Sequence, residues 1–440
     1  MRWTVAEAAA ACGATIHGNP ATEFSSIVND SRLIRDGLVG DGGQMFVALR
    51  AERDGHDFVA DAFRAGATIA LVDHDLVVPD TLLVVPDTLL ALAALGRAAR
   101  ARLLGPVVGI TGSVGKTSTK DLLVGIARMV GTVNASARSH NNEVGVPITL
   151  CGAQIDADLT VLEMGARRVG DIRHLCEIGR PDIGVVTAVA AAHTEIFGGI
   201  EAIIQAKGEM VEALDSAGTA VLRADQPDVA AMSSRTSASV VTFGDGGDVR
   251  AAGVVLDDAL RPRFRLESPW GAIDVALSVA GRHNVGNALA AAAVALVTGV
   301  ALDGVAAGLA TSELSPHRMA VVTGPSGARL IDDSYNANPE SMRAAIRALV
   351  ELPARRRVAV LGFMAEQGED GPAAHRAIAE LLDDRGVELL AVGTDLYGPE
   401  PVSLDEAVAR LADLAAGDVV LIKGSRVAGL ERISERLLAG

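Results

Sequence analysis

Cysteine is scarce in this 440-residue chain, and an excess of positive charge is missing altogether. The three cysteines, Cys12, Cys151 and Cys176, are scattered with no metal-ligand spacing. An odd, sparse set of this kind argues for a reducing compartment. Lysine and arginine total 39 against 55 aspartates and glutamates, a formal net charge of -16. That balance excludes a broad electrostatic attraction to nucleic acid or to an anionic membrane. Any anionic ligand must be held by local basic groups and backbone N–H groups. Long apolar runs are also missing. The longest uncharged one, residues 288–302, is too short and too rich in alanine to cross a bilayer and reads as a buried helix. The N-terminal stretch MRWTVAEAAAACGA carries Glu7 inside its apolar residues and resembles no signal peptide. A cytoplasmic protein is expected.

Hydrophobic residues make up 49% of the chain and charged residues 21%, as in a globular protein. The length exceeds one ordinary core, so several domains are expected. MFVALR followed by DGHDFVADAFRAGATIALVD reads as strand, helix, strand. The heptapeptide VVPDTLL then occurs twice in tandem, from Val77 and from Val84, too short a repeat for a solenoid. From Pro106 the buried runs PVVGITG, DLTVLEMG and DIGVVTAV alternate with helical segments, the pattern of a parallel sheet with crossover helices. Ligands of such sheets sit beyond the carboxyl ends of the strands, which places Thr111, Glu163 and Thr187 along one crevice. After Pro316 the strand-like runs ARLIDDS, RRVAVLG, VELLAVG and DVVLIKG suggest a second, smaller Rossmann-like unit. Within it, Asn338 and Pro339 make a good helix start, as cap and first helical residue. The fold class expected is therefore α/β in three domains, over residues 1–85, 86–313 and 314–440.

The strongest motif is Thr111-Gly112-Ser113-Val114-Gly115-Lys116-Thr117-Ser118, which follows a strand and opens a helix. In that context Gly112 and Gly115 let backbone N–H groups turn onto phosphate oxygens, Lys116 reaches the β- and γ-phosphates, and Thr117 offers its hydroxyl to Mg²⁺. The general phosphate loop has glycine where this chain has Ile110, and only the shorter form TGxxGKT[ST] is satisfied. Other candidates are weaker taken singly. Glu163 ends a strand and can hold Mg²⁺, but fits a solvated strand-end carboxylate equally well. His193 can ligate a cation, although a lone histidine is more often structural. Lys207, in IIQAKGEMVEAL, reads by default as a surface lysine. His283, Asn284 and Asn287, in GRHNVGN, suit an adenine edge or simple helix capping. The segments DDSYNANP, from Asp332, and KGSR, from Lys423, follow strands and suit closure over a nucleotide, or ordinary turns.

Together these segments resemble the Mur ligase family, over essentially the whole chain and with the motif order kept. The resemblance implies ATP and Mg²⁺ as cofactors. It makes TGSVGKTS the ATP loop and gives magnesium roles to Thr117, Glu163 and His193. It also implies that Lys207 becomes a carbamylated metal ligand. GRHNVGNALAA resembles the adenine-contacting segment, and Arg318 and Asp333 are expected to contact the nucleotide. DDSYNANPESM and HNNEVGVPITL are similar to the branch of the family that joins D-alanyl-D-alanine to UDP-N-acetylmuramoyl-tripeptide through an acyl phosphate. Asn142, Tyr335, Asn336 and Asn338 are then expected at the substrates. NDSR and DGHDF, with Ser31 and Arg32, resemble the family's UDP-sugar-binding domain. A monomer acting in cytoplasmic peptidoglycan precursor synthesis is implied. The family pattern is broken at Phe363, where aspartate is usual, and at Ala188 and Thr194. A ligase of this type with another acceptor or amine, and a non-catalytic ATP-binding regulator, are the alternative readings.

Overall fold

The computed structural model describes residues 1–34, 43–78, 80–137, 140–190 and 194–439. They form α/β layers around three larger sheets and one small one. The first sheet has six strands. Its inner four, Glu23–Val28, Gly43–Val47, Ile69–Val72 and Thr81–Val84, are parallel, and the short strands Trp3–Thr4 and Thr15–His17 close the edges antiparallel.

The central sheet is six-stranded and parallel throughout, in the order Ser239–Phe243, Thr219–Arg223, Ile183–Val186, Val107–Thr111, Leu159–Glu163, Val133–Ala135. Helices cover both faces of such a sheet, which is why its strands are continuous apolar runs. Val107–Thr111 is the first of these strands in the chain yet lies inside the sheet. Later strands add on either side of it, so a crevice opens at its carboxyl end. The apolar run 288–302 lies largely in the helix Asn284–Val297, which is buried against this sheet. Among the described residues no helix is long and apolar enough to cross a membrane.

The C-terminal sheet has the order Ala320–Thr323, Arg329–Asp332, Asp418–Lys423, Arg356–Leu361, Glu388–Ala391, parallel except for its first strand. Asn338 caps the helix Pro339–Glu351, its Oδ1 accepting the Ser341 N–H at 2.8 Å while Ser341 Oγ accepts the Asn338 N–H at 3.0 Å.

The units are not equally separate. Trp3, Phe24 and Ile27 of the first share one apolar cluster with Leu92 and Leu95 of the helix Thr88–Arg102 and with Leu150, Leu175 and Val186 of the central one. The C-terminal sheet has apolar clusters of its own. Its main intruder is Leu260, at the tip of a small antiparallel sheet of Arg250–Leu256, Pro262–Ser268 and Gly271–Ala276. Leu260 is buried there with a φ of +61°, and Arg329 Nη1 fixes the tip by donating to the Asp258 carbonyl at 2.8 Å.

Candidate active site

The cleft begins where the strand Val107–Thr111 ends. The chain turns through Gly112, with φ +145°, and Gly115, with φ +86°, into the helix Lys116–Ala127. A side chain at Gly112 would strike Thr187 Oγ1, and one at Gly115 would strike Asn287 Oδ1, so only glycine leaves the loop backbone in this position. Thr187 braces the loop by donating to the carbonyls of Val114 at 2.6 Å and Thr111 at 3.1 Å. Ser113 joins it to the next strand end, its N–H donating to the Ala188 carbonyl at 2.8 Å. Lys116 Nζ donates to the Gly112 carbonyl, folded back over the loop. Desolvation lowers its pKa, the Arg318 charge adds to that, and the Glu163 carboxylate opposes it.

Thr117 Oγ1 donates to Glu163 Oε2 at 2.8 Å, and Asn141 Nδ2 donates to Glu163 Oε1 at 2.9 Å. Both Thr117 and Glu163 are buried. Ser136 Oγ accepts the Glu163 N–H at 3.2 Å, and Lys120 Nζ holds the Ser136 carbonyl at 3.0 Å. A hard cation takes oxygen donors of this kind, a hydroxyl and a carboxylate. Lys207 is not on the surface. It lies on the helix Ile200–Glu212, is 3% exposed, and its Nζ is 5.8 Å from the centre of the Phe197 ring. Burial holds its pKa well below the usual lysine value, and the Lys116 charge lowers it further, against Asp171 and Glu209. His193 lies outside the described residues.

The opposite wall belongs to the C-terminal unit, and the cleft between the walls has a volume of about 1410 Å³. Arg318 stacks on Tyr335, its Cζ 4.2 Å from the ring centre, and its buried Nε has no hydrogen-bond partner among the described residues. Its neighbours His317 and Met319 both have left-handed backbones, with φ of +62° and +52°. Such strain persists only where surrounding bonds impose it. Here His317 Nδ1 pairs with Asp332 Oδ2 at 2.8 Å and the Met319 N–H donates to Asp333 Oδ1 at 3.1 Å. Lys423 Nζ donates to Asp333 Oδ2 and to the Asn336 carbonyl. Asn336 is exposed to the cleft, whereas Asn338 is occupied as a helix cap.

The adenine-segment residues divide in the same way. His283 is exposed to the cleft. Asn284 is fully buried, donating to the Ala280 carbonyl at 2.7 Å and accepting from Asn287 at 2.8 Å. Asn142 also lines the cleft, but its Oδ1 accepts from the Gly145 N–H at 2.9 Å. It is the adjacent Asn141, which the sequence did not single out, that touches Glu163. Phe363 stacks on His375, with ring centres 5.3 Å apart.

Ser31 and Arg32 do not line this cleft. They follow the strand Glu23–Val28, while DGHDF follows its parallel neighbour Gly43–Val47, so both lie past the carboxyl ends of the first sheet. His56, Asp73 and His74 there are close enough to suggest a metal site. However, His56 Nδ1 is bonded to Asp54 at 2.6 Å and its Nε2 accepts the Asp73 N–H at 3.0 Å, so both ring nitrogens are in use.

Residues 110–295 match the Mur ligase middle domain, and residues 317–426 match the Mur ligase, glutamate ligase domain. The UDP-N-acetylmuramoyl-tripeptide–D-alanyl-D-alanine ligase of Mycobacterium tuberculosis is 40% identical over 91% of this chain and 90% of its own. The crystal structure of MurF from Acinetobacter baumannii superposes with a TM-score of 0.90 at 30% identity, covering 100% of this chain and 99% of its own. MurF ligase from Thermotoga maritima in complex with ADP does so with a TM-score of 0.82 at 30% identity, covering 94% and 97%.

Proposed function

This chain belongs to the Mur ligase family, and on that premise we propose that it joins D-alanyl-D-alanine to UDP-N-acetylmuramoyl-tripeptide at the expense of ATP, in the cytoplasm. The observation that carries this reading is the cleft itself. The phosphate loop and Glu163 form one wall, and the strand-end segment Asp333 to Asn338 forms the other.

The residues present fit ATP and Mg²⁺. The loop can make its turn against Thr187 and Asn287 only because Gly112 and Gly115 lack side chains, and the helix Lys116–Ala127 points its amino end at the cleft. Thr117 and Glu163 would hold Mg²⁺, whose charge lowers the cost of the triphosphate's negative charge. ATP supplies the phosphoryl group that makes a carboxylate, otherwise a poor acyl donor, into a reactive acyl phosphate. The chain's own contribution is positioning and charge. Lys116 would meet the transferring phosphate, and Arg318, stacked on Tyr335, would bring a second cation from the facing unit. His283 would meet the adenine. The UDP moiety would bind around Ser31, Arg32 and DGHDF in the first unit.

Lys207 would act as a carbamate. Burial beside Lys116 favours its neutral amine, the form that attacks CO₂, forming an N–C bond and releasing a proton. The product is a fixed carboxylate where a cation site needs one. Labelled bicarbonate should give a carbamate carbon resonance that is missing from Lys207→Ala. That variant should be nearly inactive and partly rescued by a small carboxylic acid, whereas Lys207→Arg should not be rescued. An unchanged spectrum on substitution would refute the carbamate.

The reaction as a whole is tested by phosphate release. Release should require UDP-N-acetylmuramoyl-tripeptide and rise on adding D-alanyl-D-alanine. Equal release with unrelated amines would overturn the assignment.

A further inference from the structure

The chain passes from the central unit to the C-terminal one through residues 312–319, between the helix Leu302–Thr311 and the strand Ala320–Thr323. The first half of this linker is seated on the phosphate-loop helix, Lys116–Ala127. Ser312 is buried against it, and a side chain at Gly125 would strike Ser312 Oγ. The Ser315 N–H donates to Asp121 Oδ2 at 2.7 Å. The second half is bonded to the C-terminal unit. His317 Nδ1 pairs with Asp332, the His317 carbonyl accepts the Tyr335 N–H at 3.1 Å, and the Met319 N–H donates to Asp333. Arg318 lies inside that half, three residues after Ser315. The chain between them is stiff. Pro316 has its φ locked by the ring, and His317 and Met319 hold left-handed backbones. A shift at Ser315 is therefore passed on to Arg318 rather than absorbed.

Asp121 opposes such a shift from the other wall. It lies about one turn beyond Thr117 on the same helix. Its second oxygen, Oδ1, pairs with Lys120 Nζ at 3.2 Å, and the Lys120 and Asp121 side chains are 4% and 12% exposed. Lys120 also holds the Ser136 carbonyl, and Ser136 Oγ accepts the Glu163 N–H. One helix thus carries Lys116 and Thr117 on its first turn, is joined to Glu163 through Lys120, and is joined to the linker of Arg318 through Asp121. Stability alone does not call for a carboxylate at this place. Taking both charges of a pair out of water costs about as much as their attraction returns, so an apolar contact would hold the linker as firmly. What the carboxylate adds is direction, because it accepts one N–H at a set distance and angle. Arg318 and Lys116 are close enough for the Arg318 charge to lower the Lys116 pKa.

We propose that Asp121 is a positioning residue, which through the Ser315 N–H sets where Arg318 stands relative to Lys116. The two cations then meet one phosphate chain from opposite walls in a fixed register. This rests on the reading of Arg318 as a cation that contacts the nucleotide.

A double-mutant cycle between Asp121 and Arg318 tests it. The cycle is read in the affinity for a non-hydrolysable ATP analogue with Mg²⁺, and in kcat for phosphate release with UDP-N-acetylmuramoyl-tripeptide and D-alanyl-D-alanine. Arg318→Gln and Asp121→Ala should each weaken binding of the analogue and lower kcat, the latter by about tenfold or more, on the scale of one lost charged hydrogen bond. The double variant should be no worse than Arg318→Gln alone, because Asp121 acts through Arg318. A purely structural contact would lower the melting temperature without this coupling. If Asp121→Ala does not melt cooperatively, Asp121→Asn, which keeps the shape and removes the charge, takes its place in the cycle with the same pattern expected. Losses that multiply in the double variant, or unaltered affinity and kcat in the Asp121 variant, would overturn the proposal. Normal binding and turnover by Arg318→Gln would overturn the reading of Arg318, and the proposal with it. Failure of the unaltered protein to turn over these substrates would instead overturn the reading of the reaction, and the affinities would still decide the role of Asp121.

Discussion

Lys116 has one task that no neighbour duplicates, because it is the cation on the phosphate loop itself. Lys116→Ala should lower phosphate release by about 100-fold or more, roughly 3 kcal/mol of lost charge stabilisation, without moving the thermal melt. Near-normal release would remove the loop from the mechanism. The loop was legible in the sequence because its chemistry is contiguous, with strand, glycines, lysine and helix in one string. Side-chain direction was not. Asn141 and Asn142 are adjacent and chemically identical, yet Asn142 turns back to accept the Gly145 N–H and Asn141 reaches Glu163. Lys207 reads as a surface residue because the sequence does not show that its helix packs against the helix Asp171–Gly179. The bond between Thr117 and Glu163 joins positions 46 residues apart, and it is the parallel pairing of the strand before the loop, Val107–Thr111, with Leu159–Glu163 that brings it about.

At the scale of elements, the tandem VVPDTLL shows why local sequence is not enough. In the first copy TLL opens the strand Thr81–Val84, with Leu82 and Leu83 buried between neighbouring strands. In the second, TLL opens the helix Thr88–Arg102, with Leu89 and Leu90 exposed. The same aspartate, as Asp87, now caps that helix by accepting the Leu90 N–H at 2.9 Å. What differs is the continuation. ALAALGRAARAR is a run of good helix formers, whereas the first copy runs into two valines and Pro86. The strand Asp418–Lys423 offers a test at this scale. It lies inside the C-terminal sheet, and its first residue accepts two hydrogen bonds from Arg355, at 3.0 and 2.9 Å. These hold the Asp418 carboxyl below the usual carboxylate range. A depressed folded value stabilises the protein above the unfolded pKa, and that stability is lost as pH falls through the folded value. Asp418→Asn should therefore have a lower Tm than the unaltered protein near neutrality. The difference should shrink once pH drops below about 4. A difference that is independent of pH would show that the charge is not what anchors the strand.

For the whole molecule, the decisive fact is where apolar cores merge and where they stop. The first and central units share a cluster that includes Trp3, Phe24, Leu92 and Leu150. A fragment lacking residues 1–85 should consequently aggregate or melt without cooperativity, because the loss of those residues strips the faces of the helices Thr88–Arg102 and Gly145–Gly152. A fragment of residues 1–313 loses only a wall of the cleft and the cover over Leu260. It should unfold cooperatively in a circular dichroism melt and still bind nucleotide, more weakly than the full chain. The reverse pattern would place the break in the wrong position. That asymmetric seam also bears on inheritance. Genes recombine most safely where few buried contacts are cut, and here such a cut falls between the wall bearing the phosphate loop and the wall bearing the segment Asp333 to Asn338. A lineage that exchanged the last third of this chain would replace one wall of the cleft while the core shared by the first two units passed on intact.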